Sequence, residues 1–142
     1  MINYVCKYAP VELFKGLGQE CAVLEEMPEN FDKSDKIAHA NLCGFGKSVI
    51  QAVLEGKVEE IVLVNCCDSM RRVYDIIENT KKCKFLYMLD LPHEDNECEN
   101  IKFAQSILRL KKAYERYSHR TFDRELFIKS FAKPESERKP YI

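Results

Sequence analysis

The run Glu60-Ile61-Val62-Leu63-Val64 is followed without a break by Asn65-Cys66-Cys67-Asp68-Ser69 and then by a helical pattern. A short apolar run with no polar alternation suits a strand buried on both faces of a parallel sheet. Downstream, Met70, Val73, Tyr74 and Ile77 repeat at i, i+3, i+4 and i+7, which predicts a helix with Asp68 or Ser69 available to cap it. A parallel strand reaches its neighbour only through a crossover, usually helical, so this one unit already commits the chain to alternating strands and helices.

The rest of the chain repeats that alternation. Residues 2–8 are β-prone and stop at Ala9-Pro10, after which Val11, Leu13, Phe14 and Leu17 predict a short helix closed by Gly16 and Gly18. Residues 21–24 read as a second strand before the turn signal Met27-Pro28-Glu29-Asn30, and residues 31–36 form a polar stretch. Val49, Ala52 and Val53 predict a helix that starts at or just before Cys43, with Asn41 as its N-cap and Gly56 at its end. Residues 84–91 form a fourth strand ending at Pro92-His93. A long helix over residues 96–117 follows, with Phe103, Ile107, Leu110 and Tyr114 on one stripe, and a last helix begins near Thr121 with Leu126, Phe127 and Phe131. The expectation is an α/β, Rossmann-like, three-layer domain over residues 1–132 with a mostly parallel sheet of about four strands. Residues 133–142 are expected to be a polar, proline-bounded tail or a linker to an absent second domain.

Composition narrows the function. With 142 residues, 46% hydrophobic, the chain fits one globular domain. Its 22 Lys and Arg against 23 Asp and Glu leave a net charge of -1, so no surplus of cations is available for a nucleic acid backbone. No apolar run approaches the roughly 20 residues that cross a bilayer. Residues 1–8 lack a signal-peptide layout, so the expected location is the cytoplasm. Seven cysteines are many for that compartment, and an odd number argues against a closed set of disulfides. None of them forms C-x-x-C, so any shared site must be assembled by the fold.

In an open α/β sheet the carboxyl ends of the strands and the amino ends of the following helices share the edge where ligands bind. Cys43 and Cys67 are both expected at helix starts on that edge. A helix amino terminus favours a thiolate through its free N–H groups and partial positive charge. Two such thiolates match what a cysteine-ligated iron–sulfur cluster needs, and they equally match small residues chosen for tight turns. Glu12 follows Pro10 on a first helical turn, where a carboxylate serves the helix dipole or acts as an acid/base. Gly44-Phe45-Gly46-Lys47-Ser48 is not a phosphate loop, because Asn41 stands where the first glycine is required and no clear strand precedes it. Cys6, Cys21 and Cys83 sit in or beside strands and read as core thiols. His39 and His93 read as polar turn residues, and His119 as a partner for the free carbonyls ending the long helix.

Four segments together, YAPVELFKGLG over residues 8–18, NLCGFGKSV over 41–49, EIVLVNCCDSMRRVYD over 60–75 and LDLPHE over 89–94, cover nearly the whole chain in order. In that combination the chain resembles the 2-hydroxyacyl-CoA dehydratase family, which includes the 2-hydroxyglutaryl-CoA dehydratase D-component and benzoyl-CoA reductase subunits. The resemblance implies a subunit of a hydro-lyase that binds a [4Fe–4S] cluster through three cysteines. It further implies removal of water from a 2-hydroxyacyl-CoA through a ketyl radical, after one electron arrives from a separate ATP-dependent iron–sulfur activator. Cys43 and Cys67 are, by motif position, two of the ligands. The third comes, in the family, from a second and similar domain that this chain does not contain. A second subunit or missing C-terminal domain is therefore the expected partner, unless Cys66 or Cys98 substitutes or the cluster is lost. The same resemblance gives Lys47, Arg71 and Arg72 a choice between CoA phosphates and plain solvation of their helix faces. A non-catalytic iron–sulfur or scaffold subunit, and an ATP-dependent reductase like benzoyl-CoA reductase, are the alternative functions.

Overall fold

A computed structural model describes residues 1–25 and 27–131; the proposed tail at 133–142 lies outside them. Four strands, β1 (Ile2–Tyr4), β2 (Cys21–Val23), β3 (Glu60–Val64) and β4 (Phe85–Leu89), form one sheet in the order β2-β1-β3-β4. Every pairing is parallel, so the sheet is wholly and not just mostly parallel. Among the described residues five helices follow the strands: α1 (Val11–Gly16), α2 (Gly44–Leu54), α3 (Asp68–Thr80), α4 (Glu97–Ser118) and α5 (Arg124–Phe131).

Handedness explains the layers. Parallel crossovers are right-handed, so the step from β1 outward to β2 puts α1 on one face of the sheet. The steps from β2 back past β1 to β3, and on to β4, run the other way and put α2 and α3 on the opposite face. The core divides accordingly. On one face Leu13, Phe14 and Leu17 of α1 and Leu110 and Tyr114 of α4 pack on Val62 and Val64. On the other, Val49, Ile50 and Val53 of α2 and Met70, Val73 and Ile77 of α3 pack on Ile61 and Leu63. The alternate residues of β3 thus feed the two layers, and the strand has no polar side because neither face meets water.

Several local expectations shift by a few residues. β1 ends at Tyr4 because the chain turns immediately, with the Ala9 N–H donating to the Cys6 carbonyl at 3.0 Å. The polar stretch before α2 contains a 3-10 turn, Ser34–Lys36. It is pinned by the fully buried Gln51 of α2, whose Oε1 accepts the N–H groups of Lys33 (3.1 Å) and Ser34 (2.9 Å). Asn41 does not cap α2. Leu42 must first enter the core between α2 and α3, so the helix begins only after Cys43, and the Asn41 N–H goes to His39 Nδ1 at 3.1 Å instead. Likewise neither Asp68 nor Ser69 caps α3; the N-cap is Cys67, in extended conformation. On α4 the stripe narrows to Leu110 and Tyr114, while Phe103 and Ile107 are half-buried at its margin. His119 is the left-handed C-cap of α4 and meets the end of the helix through its own N–H, which donates to the Glu115 carbonyl at 2.9 Å.

Candidate functional site

The order β2-β1-β3-β4 puts a topological switch between β1 and β3, where the chain leaves neighbouring strands toward opposite faces and opens a crevice at their carboxyl ends. Cys6 lies just past the end of β1, and Cys66 and Cys67 just past the end of β3. Burial pushes the Cys66 thiol up to about 11, and the adjacent Cys6 and Cys67 thiols add to that rise because neighbouring negative charge opposes ionisation. Cys6 is therefore at the crevice and not only a core thiol, although it also packs against the α1 and α4 layer.

Cys43 enters the same crevice from α2. Its backbone is extended (φ -63, ψ 155), and its Sγ accepts the Gly46 N–H at 3.3 Å in the position of an N-capping side chain. That bond, partly opposed by burial and aided by the Ser69 side chain and the Phe45 N–H, holds the Cys43 thiol below its ordinary range. Ser69 belongs to the first turn of α3, two residues after Cys67, so its contact with Cys43 sulfur brings the two thiol-bearing helix starts together. Gly46 makes this approach possible. A Cβ there would sit 3.0 Å from Val73 Cγ2 and 3.2 Å from Leu42 Cγ, so any side chain would press on both neighbours where glycine lets α2 lie close to α3. Gly44, beside the sulfur, would meet nothing within 4 Å and leaves open space at the rim.

Cys43, Cys66 and Cys67 are exposed. Cys67 makes no side-chain capping bond, so its sulfur is not committed to the helix it precedes. The other cysteines separate from this group. Burial pushes Cys21 up to about 12 and Cys83 up to about 11, as expected of thiols that pack against the core, and Cys98 is exposed on the first turn of α4. Glu12 is half-buried on the first turn of α1, and the interactions that set the Cys43 thiol do not include it. Lys47 is taken up by an ion pair with Asp35 at 3.1 Å. His39 lies in the turn before α2 and His93 in the turn after β4.

The donor chemistry at Cys43, a soft thiol with N–H groups aimed at its sulfur, suits iron–sulfur ligation, and Cys67 offers a second exposed sulfur without such donors. It does not complete a ligand set. Among the described residues no group of three or more His, Cys, Asp or Glu is arranged to hold a metal ion.

Sequence reasoning passed over two contributors. Asn65 ties the carboxyl end of β3 to that of edge strand β4: its Nδ2 donates to Asp90 Oδ1 at 2.8 Å and its Oδ1 accepts the Leu91 N–H at 2.8 Å. An asparagine directly after a β-branched strand was the available signal. Ser69 reads in the sequence only as a cap, and nothing local reveals its reach to Cys43. No helix among the described residues is long and apolar enough to cross a membrane. No curated protein matches the chain. A family model described as 2-hydroxyglutaryl-CoA dehydratase, D-component, matches residues 6–141.

Proposed function

The chain belongs to the 2-hydroxyglutaryl-CoA dehydratase D-component family, and from that premise we propose that it is an iron–sulfur subunit of an enzyme that removes water from a 2-hydroxyacyl-CoA. The observation that carries the proposal is the meeting of the Cys43 and Cys67 helix starts at the switch crevice through Ser69. In this reading Cys43 and Cys67 are two thiolate ligands of a [4Fe–4S] cluster, and the third ligand comes from a second domain or partner subunit. When bound, the cluster supplies a low-potential electron carrier and an open iron site able to polarise a substrate oxygen.

The chain's own residues would do three things. The N–H groups of Gly46 and Phe45 lower the proton affinity of Cys43 and so keep its sulfur in the form that ligates metal. Gly46 and Ser69 fix the spacing of the two sulfurs. Glu12, on the first turn of α1, would hold or move a proton at its carboxyl oxygen. The electron that converts the thioester into a ketyl radical able to expel its hydroxyl would arrive from an ATP-dependent iron–sulfur activator.

Iron and sulfide content after anaerobic purification tests the ligand assignment. Cys43→Ala and Cys67→Ala are each expected to lower iron incorporation at unchanged fold, whereas Cys83→Ala is expected to retain it; equal iron in all three would refute the assignment. A non-catalytic iron–sulfur or scaffold subunit is the second reading, favoured by a ligand set that is incomplete among the described residues. Turnover of a 2-hydroxyacyl-CoA with activator, ATP and a second subunit separates the two, and Glu12→Gln should then lower turnover without changing iron.

A further inference from the structure

Four thiols stand at the switch crevice, and the cluster proposed above uses only two of them, Cys43 and Cys67. Cys6 and Cys66 are left, one on each side of the seam between β1 and β3. The two strands run parallel with Tyr4 level with Val62, so both segments emerge at the same edge of the sheet and turn there. The Ala9 N–H donates to the Cys6 carbonyl at 3.0 Å, and the Cys66 N–H donates to the Val64 carbonyl at 2.8 Å. These turns halt both segments at the mouth of the crevice, where the Cys66 thiol lies in hydrogen-bonding contact with the thiols of Cys6 and Cys67.

Of these two contacts only one suits a covalent bond. A disulfide joins residues whose Cα atoms lie roughly 4.4–6.8 Å apart. Consecutive residues hold theirs about 3.8 Å apart across a trans peptide, too close for Cys66 and Cys67 to bridge without distortion. Neighbouring strands lie about 4.7–4.9 Å apart, inside the required span, so Cys6 on the β1 side is the fitting partner for Cys66. Exposure divides the labour between them. Cys66 is exposed and meets reagents from solvent, whereas Cys6 is half-buried against the α1 and α4 layer and is reached through its neighbour.

We propose that Cys6 and Cys66 are a reversible dithiol–disulfide pair, oxidised by low-molecular-weight disulfides such as oxidised glutathione, whose bond ties the ends of β1 and β3 together across the crevice mouth. The exchange runs in two steps. The Cys66 sulfur, having given its proton to solvent, attacks one sulfur of the small disulfide. That S–S bond breaks, a mixed disulfide forms on Cys66, and one small thiolate leaves and takes up a proton. The Cys6 sulfur then gives up its proton and attacks Cys66 Sγ, the mixed disulfide breaks, and a second small thiolate leaves and is protonated. Two protein thiols are oxidised and one small disulfide is reduced to two thiols, with no other reactant. The pairing removes Cys66 from the candidates for a cluster ligand and leaves the sulfurs of Cys43 and Cys67 uncommitted in both redox states.

The test incubates the full chain, reduced and then freed of reductant, with oxidised glutathione in mildly alkaline buffer, alkylates it with iodoacetamide and maps its tryptic peptides by mass spectrometry. The expected product has lost two of its seven free thiols and carries a Cys6–Cys66 cross-link that dithiothreitol reverses, with fragmentation of the linked peptide telling Cys66 from Cys67. Cys6→Ser should stop the reaction at the mixed disulfide, with glutathione retained on Cys66. Cys66→Ser should leave Cys6 alkylated, and Cys83→Ser should leave the cross-link intact. Circular dichroism confirms that each variant is folded, and the map of the unaltered chain decides the matter where one is not. A Cys66–Cys67 or Cys43–Cys67 bond in place of the expected one would overturn the proposal, as would glutathione persisting on Cys66 of the unaltered chain while Cys6 stays free. None of these readouts involves iron or turnover, so the outcome is separate from that of the dehydratase reading.

Discussion

At the amino end of the sheet, Phe85, Tyr114 and Tyr117 pack edge-to-face and tilted against one another, with the Phe85 and Tyr114 ring centroids 5.0 Å apart and nearly perpendicular. Tyr114 Oη donates to Glu60 Oε1 at 2.8 Å, and Lys84 pairs with Glu59 at 2.9 Å. These groups find their partners within the chain. The carboxyl end differs: the exposed thiols of Cys43, Cys66 and Cys67, a cavity with two guanidinium groups, those of Arg71 and Arg109, that have no carboxylate partner among the described residues, and an open glycine face outward. Burial and satisfied hydrogen bonds stabilise the first end. At the second, polar and nucleophilic groups left without partners lower stability and leave valences for a ligand. The parallel sheet produces this division, because every strand ends and every following helix begins at the same edge.

The comparison breaks most visibly at the closed end. Tyr114→Ala removes the fully buried ring from the centre of the aromatic cluster and should destabilise the fold by about 3–5 kcal/mol in denaturant unfolding; a loss under about 1 kcal/mol would show that this end is not the structural one. A smaller effect is expected where the two ends couple. Gly46→Ala forces a methyl against Val73 and Leu42, and overpacking of about 1–3 kcal/mol is offset in part by better helix propensity of up to about 1 kcal/mol. It should also part the two helix starts and reduce iron uptake, so an unchanged iron content would contradict the spacing role given to Gly46.

The smallest effect sharpens the open end. Alkylation of Cys43 should persist to lower pH than that of Cys66 or Cys83, each raised to about 11, or Cys21, raised to about 12. The sign follows from the lowered value of Cys43: the folded state favours the thiolate, so its contribution to stability is present above the unfolded thiol pKa, roughly 8.5, and is lost as pH falls through the folded value. Peptide mapping after iodoacetamide treatment across roughly pH 6–10, a window that brackets the ordinary thiol value, checks it, and a Cys43 profile coincident with that of Cys83 would contradict the capping bond.

Much of this arrangement was legible in the residues. The span of β3 follows directly from its β-branched run, and the placement of Cys43 and Cys67 at helix starts follows from the apolar periodicity behind them. Caps were the weak point. Asn41, Asp68 and Ser69 all have good capping chemistry, but the N-caps are Cys43 and Cys67, and the burial of Leu42 accounts for the first of these. Tertiary packing outweighs a capping preference worth about 1 kcal/mol when a buried leucine contributes about 1.5–3.

The sequence by itself determined the local units, their polarity and the parallel character of the sheet, since strand burial, helix period and crossover length are all properties of neighbouring residues. Only the tertiary structure decided the strand order, and with it which residues meet. That β1 adjoins β3 places Cys6 near Cys66, that α2 lies against α3 places Cys43 at Ser69, and that α3 and α4 flank the end of β4 places Arg71 and Arg109 in one cavity. These contacts join positions far apart in the chain, and no local pattern of residues encodes which distant unit becomes the neighbour.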